Sequence, residues 1–164
     1  MSLKSHIIAG AVGAIAFYSI FGPFKTLIFF LASFLIDVDH YLDYLWRTKG
    51  KDWSPKRMFQ YYDYVIENKY DKNNIGFSIM HTVEVFFIIY LLSLYVSSEL
   101  FLPILCGMAY HMIFDMVWLS YHKVTFIRPF SIVEYIIRKR KMIKDGLDPD
   151  GFYKKAFEVS KLEK

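Results

Sequence analysis

Residues 6–45 read HIIAGAVGAIAFYSIFGPFKTLIFFLASFLIDVDHYLDYL. Two apolar runs, His6 to Ile20 and Phe24 to Leu45, are separated only by Phe21-Gly22-Pro23, a connection too short for anything but an antiparallel helical hairpin. The first run is rich in small residues, and the four-residue spacings Ala9/Gly13 and Gly10/Ala14 let a neighbouring helix approach closely, within the chain or across a dimer. The second run ends in a cluster that an apolar segment rarely carries: Asp37, Asp39 and His40.

Outward from this hairpin lie two more apolar runs, Gly76 to Tyr95 and Leu100 to Tyr121. Most of the four runs approach the roughly 20 residues that cross a hydrocarbon core about 30 Å thick; the first is short and needs Phe21 or a thinned bilayer. Of 164 residues, 55% are apolar or aromatic, with 16 Phe and 13 Tyr and a mean hydropathy of +0.26. Charge placement separates this pattern from a soluble helical protein. Of the 20 Lys and Arg, all but Lys25 fall before the first run, between the second and third, or after the fourth. With four spans these three regions share one side, which the positive-inside rule makes cytoplasmic. The net charge of +4 then faces anionic lipid headgroups, not nucleic acid, for which no groove-reading motif is present. Cys106 has no partner for a disulfide. The start, Met-Ser-Leu-Lys before an apolar run, reads as an uncleaved anchor.

The expected fold is therefore all-α: an integral membrane, antiparallel four-helix bundle over residues 1–122, with a cytoplasmic loop at 46–75 and a basic amphipathic tail at 123–164. The N- and C-termini are cytoplasmic and the membrane is the inner cell membrane. Ser54-Pro55 opens a helix running to about Lys69 with an aromatic face that lies in the interface or covers the bundle. Ser131 and Glu134 have capping-box spacing and open Ile132 to Lys144, an amphipathic, lipid-facing helix. Asp148-Pro149-Asp150-Gly151 ends it, and Phe152 to Leu162 forms a last short helix.

Ionisable side chains in apolar spans persist mainly where they have partners and a function. His6 opens the first run, Asp37, Asp39 and His40 close the second, His81 and Glu84 lie early in the third, and His111 and Asp115 lie late in the fourth. Because successive spans alternate in direction, all eight converge at the cytoplasmic end. Asp37/His40, His81/Glu84 and His111/Asp115 have three- or four-residue spacings that put each pair on one helical face. Imidazole and carboxylate donors without a nearby thiolate suit an open site for zinc, manganese or iron. The donors exceed the needs of one tetrahedral ion, so several metals or supporting groups are expected. His122 reads as an anchor at a span end.

Ser-His-Ile-Ile-Ala-Gly at 5–10, Phe-Leu-Ile-Asp-Val-Asp-His at 34–40, His81-Thr82, Gly-Met-Ala-Tyr-His-Met-Ile-Phe-Asp at 107–115 and Arg128-Pro129-Phe130-Ser131 resemble the YdjM-like membrane-bound metal-dependent hydrolases. The resemblance covers most of residues 5–131. Ile36 replaces the family's proline before the first Asp, and Gly76 stands where its third segment carries an earlier histidine. The family is a remote relative of zinc-dependent phospholipase C and P1 nuclease, so the resemblance implies a metal-dependent hydrolase of phosphoesters or phospholipids, with zinc foremost and manganese or iron as alternatives. It implies metal ligation by His6, Asp37 or Asp39, His40, His81, His111 and Asp115, with Glu84 or the unligated one of Asp37 and Asp39 as general base. The alternatives are a metal-ion binding or transport protein and a structural membrane protein with a non-catalytic site. Transport is disfavoured by the few polar residues at the opposite ends of the spans. A diiron membrane hydroxylase is disfavoured because five histidines, none in an HxxxH box, replace the usual eight or so.

Overall fold

The computed structural model describes residues 3–162, which leaves the first two residues of the expected anchor and the last two of the basic tail, Glu163 and Lys164, outside them. The described residues are helical throughout, with turns between and no strand among them. They are α1 (Leu3–Leu35), α2 (Val38–Arg47), α3 (Pro55–Glu67), α4 (Val83–Tyr95), α5 (Ser98–Tyr121), α6 (Ile132–Lys144) and α7 (Pro149–Leu162), with a single 3-10 turn at Ile79–His81 before α4. The chain divides into two units, residues 1–38 with 79–125, and residues 39–78 with 126–164.

In the first unit α1 is the expected hairpin. Gly22 has φ 68° and ψ 175°, which stops the helix, and Pro23 restarts it. The two arms then lie against each other. A Cβ on Gly10 would stand 2.2 Å from Ser33 Oγ, and Phe17 meets Phe29 ring to ring at 5.4 Å. A Cβ on Gly13 would fall 2.8 Å from the Tyr110 ring of α5. The small residues of the first run thus serve contacts inside the chain. Along α5, Pro103, Gly107, His111, Asp115 and Leu119 are buried at four-residue intervals, one stripe of a helix turned inward.

Two of the expected spans are shorter than the sequence pattern implies. The run from Phe24 to Leu45 is not one helix: it breaks at Ile36–Asp37, where the Asp37 N–H bonds the Phe34 carbonyl at 3.3 Å instead of continuing the helical ladder. The run from Gly76 to Tyr95 becomes helical only at Val83, because Thr82 turns its hydroxyl back onto the Ile79 carbonyl at 2.8 Å and holds a 3-10 turn upstream. Two helices are long and apolar enough to cross a membrane: Lys4–Arg47, taken through its breaks, and Ser98–Tyr121. Val83–Tyr95 is apolar with 13 residues.

The second unit joins the middle segment to the tail, so the boundary expected at residue 122/123 does not separate them. Tyr44, Tyr61, Val65, Phe152, Tyr153 and Ala156 form its core, contributed by α2, α3 and α7. The Arg47 guanidinium lies 3.6 Å over the Tyr153 ring and pairs with Asp43 at 2.7 Å. The Tyr153 hydroxyl donates to the Ile75 carbonyl at 2.6 Å. Ser54 caps α3 by accepting the Arg57 N–H. Ser131 caps α6, and Glu134 accepts the Phe130 N–H at 2.9 Å, one residue upstream of the usual capping-box bond.

Candidate metal centre

The first unit buries polar groups and exposes apolar ones. His6, Ser33, His81, Thr82, His111 and Asp115 are each less than a tenth exposed, while Ile8, Ile15, Ile20, Phe24, Phe87, Ile113 and Val117 are each more than half exposed. In water this arrangement would cost apolar transfer energy on every outward side chain. An inward-facing ionisable cluster is its counterpart.

Five side chains from four parts of the sequence make up that cluster. His6 comes from the first turn of α1, Asp37 from the break after α1, His81 from the 3-10 turn, and His111 and Asp115 from the buried stripe of α5. Nε2 of His81 and Nε2 of His111 are 3.2 Å apart. Asp37 directs Oδ1 toward His81 and His111, at 3.5 and 3.4 Å, and Oδ2 toward His6 at 3.8 Å. Asp115 repeats the pattern, with Oδ1 3.3 Å from His6 and Oδ2 at 3.8 and 3.6 Å from His81 and His111. Each carboxylate therefore spans the gap between His6 on one side and the His81/His111 pair on the other. The His6 and His111 rings stack at 3.9 Å.

The break in α1 also orients His111. When the Asp37 N–H turns to Phe34, the Ser33 carbonyl is left without its helical donor, and His111 Nδ1 takes that place at 2.9 Å. A carbonyl can only accept, so Nδ1 carries the hydrogen and the Nε2 lone pair of the neutral ring points into the cluster. Ser33 is the supporting residue that sequence reasoning missed. Its only signal was an Asp following an apolar run, where a helix end frees carbonyls.

The donor set fits a divalent cation. Zinc–nitrogen bonds of about 2.0–2.1 Å in a tetrahedron place ligand atoms about 3.3–3.4 Å apart, close to the shorter separations here. The donors, all buried except the half-buried Asp37, form two overlapping triplets, His6/Asp37/His111 and His81/His111/Asp115, whose ligand atoms lie within 4.8 Å of one another. Two carboxylates supply two negative charges that burial makes costly to leave uncompensated, and a divalent ion balances them. Five of the eight sequence candidates are thus brought together.

The other three belong to neither triplet. Asp39 and His40 open the second unit, where His40 Nδ1 lies 3.3 Å from Asp39 Oδ1 and 3.1 Å from the Ser78 hydroxyl, and the His40 ring packs on Tyr62. Glu84 lies in the first turn of α4, whereas His81 ends the 3-10 turn that precedes the cap. Neither triplet includes Asp39, His40 or Glu84. His122 caps α5, its Nδ1 2.9 Å from the Trp118 carbonyl. Comparison of the chain with protein-family models, curated proteins and solved structures finds no match.

Proposed function

We propose that the chain is a multi-pass membrane hydrolase of the inner cell membrane that uses a divalent metal, zinc foremost, to cleave a phosphoester or phospholipid at the cytoplasmic headgroup layer. The observation that carries this reading is the convergence of three imidazole Nε2 atoms and two carboxylates in the buried interior of an otherwise apolar unit. Histidine and carboxylate donors without thiolate belong to sites that leave a coordination position open for reaction. A divalent ion bound there would acidify a water and draw charge from a phosphoryl oxygen.

The chain's own residues have separable tasks. His81 and His111 hold one side of the cluster and His6 the other, while Asp37 and Asp115 tie the sides together through their two oxygens. The Ser33 carbonyl keeps the His111 ring from turning. Glu84, one turn into α4 and outside the donor triplets, is the carboxylate assigned to take the proton from the attacking water. The three-histidine, two-carboxylate end lies at the N-terminal ends of α1 and α4. Along the α1 hairpin the opposite end holds Lys25, paired with Glu99 at 2.8 Å. A one-ended site suits hydrolysis at a surface better than passage of an ion through the bundle.

Elemental analysis of detergent-purified protein, wild type beside His111→Ala and Asp37→Ala, tests the metal; a panel of phospholipids and phosphodiesters tests the reaction. The expected result is near-stoichiometric zinc, manganese or iron in the wild type only, with hydrolysis abolished in Glu84→Gln although its metal remains. Protein that is metal-free and takes up none of these ions overturns the metal assignment. Metal-loaded protein that cleaves nothing in the panel overturns the hydrolase.

A further inference from the structure

Helix α6 presents an outward face that neither the metal centre nor the core of its own unit uses. With 3.6 residues per turn, Ile143, Ile136, Arg140, Val133, Lys144, Ile137 and Lys141 fall within an arc of about 160°. The four aliphatic members are exposed by 53, 42, 60 and 62% for Ile143, Ile136, Val133 and Ile137, and α6 has no buried residue. The arc holds three cations and no acid. The helix's acid, Glu134, lies off it and pairs with Arg138 at 3.2 Å, while Lys139 reaches Asp150 at 2.6 Å and Tyr135 stacks on Phe77 at 4.2 Å. The side turned to its own unit thus satisfies its charges internally, and the side turned outward is aliphatic and basic.

The face is also graded along its axis. Val133, Ile136 and Ile137 occupy the first half, and Arg140, Lys141 and Lys144 the second, where Ile143 stands among them. Phe126, just upstream, is 78% exposed, and its carbonyl accepts a hydrogen bond from Arg138.

We infer that α6 docks obliquely on an anionic bilayer surface, its first half entering the acyl boundary and its cationic half resting on phosphate headgroups. Aliphatic area supplies the insertion, and each cation adds attraction that depends on anionic lipid. Long Lys and Arg stems lie along apolar surface while their charges reach headgroups. An acidic protein surface would match the cations but has no equivalent use for the exposed β-branched side chains beside them.

The test uses the full chain with Cys106→Ala and Ile137→Cys, labelled with an environment-sensitive fluorophore and reconstituted into phosphatidylcholine vesicles with or without phosphatidylglycerol. The expected result is a blue-shifted emission, quenched by nitroxide lipids, that is strong with phosphatidylglycerol and weak without it. Arg140→Glu/Lys141→Glu/Lys144→Glu, on the exposed face and checked for folding by circular dichroism, abolishes most of the shift. A probe that stays wet in both vesicles overturns the inference, as does a shift independent of lipid charge. Shielding that grows with protein-to-lipid ratio would assign the face to a second copy and also overturn it.

Discussion

At the residue scale, the Asp37 and Asp115 carboxylates are the most informative groups, because their cost and their use are the same thing. Each faces three imidazoles in a buried space. A bound divalent cation would balance the two negative charges through direct bonds. Ligand binding to the folded state alone stabilises by about 2.7 kcal/mol at a hundredfold excess over Kd. Added zinc is therefore expected to raise the Tm of the wild type, and chelator to lower it. Asp37→Asn keeps shape but removes one charge, so its chelated form should melt no lower than chelated wild type while its metal affinity falls at least tenfold, about 1.4 kcal/mol. Calorimetric melts with and without zinc read both effects. A wild type whose Tm ignores zinc and chelator alike would sink the prediction.

Asp52 offers a residue-scale test away from the metal centre. Burial works to raise its pKa, but hydrogen bonds from the Arg57 guanidinium at 2.6 Å and the Ser54 N–H at 2.9 Å outweigh that and hold it below the ordinary 3.8. A carboxyl depressed in the folded state contributes stability that is fully present above its unfolded pKa and disappears as pH falls through the folded one. Asp52→Asn is expected to lower Tm at pH 7 and to change it little near pH 3. Equal destabilisation at both pH values would mean that the side chain acts through packing.

At the scale of elements, close approach decides where α5 carries its ligands. A Cβ on Gly107 would meet the Phe29 carbonyl oxygen at 2.4 Å and the Ser33 nitrogen at 3.1 Å, both backbone atoms that cannot swing away. Gly107 lies one turn before His111, and Ser33 is the residue whose carbonyl holds the His111 ring. Gly107→Ala is expected to cost about 1–3 kcal/mol through overpacking and to weaken metal binding with it. By contrast Gly22→Ala meets no atom within 4 Å and suffers only the strain of positive φ, about 1–2 kcal/mol, with the metal centre unaffected. Parallel melts and zinc titrations of the two variants separate these outcomes; equal loss of metal affinity in both would refute the account.

The same elements show what the sequence made legible. Ser54-Pro55 and Ser131 mark true helix starts because a cap is a local device, and Gly22-Pro23 marks a true turn for the same reason. His6, Asp37, His81, His111 and Asp115 were readable because charge in an apolar run is costly and span direction alternates. The breaks at Ile36–Asp37 and before Val83 were not readable. They depend on the His111 to Ser33 bond across 78 positions and on a threonine turned back onto its own chain, neither of which changes the apolar pattern. His40 and Glu84 belong to neither donor triplet. The joining of the middle segment to the tail was hidden likewise, since Tyr61 and Tyr153 carry no signal of pairing until folded.

At the scale of the whole molecule, the lengths of the apolar helices bear on which solvent surrounds the first unit. Helix α5 has 24 residues, about 36 Å at 1.5 Å per residue, enough to cross a hydrocarbon core, whereas the 13 residues of α4 extend only about 20 Å. The seven residues from Gly76 to Thr82 precede α4 and include His81, so the shortfall falls on the metal-centre side, where polar side chains already line the interior. Basic residues sort accordingly: Lys25 alone accompanies the Gly22 turn and Glu99, and the others lie before, between and after the apolar pairs. The proposed topology has Glu99 outside and the segments bearing Lys72 and Lys154 in the cytoplasm. In a Cys106→Ala background, a membrane-impermeant maleimide applied to intact cells is expected to label Glu99→Cys at once, since that side chain is 70% exposed, and Lys72→Cys and Lys154→Cys only after permeabilisation. Labelling of Lys72→Cys or Lys154→Cys in intact cells would reverse or abolish the proposed topology. Release of the chain by alkaline carbonate would remove the membrane-spanning reading altogether, and the apolar outer face of α1 and α5 would then require a protein partner.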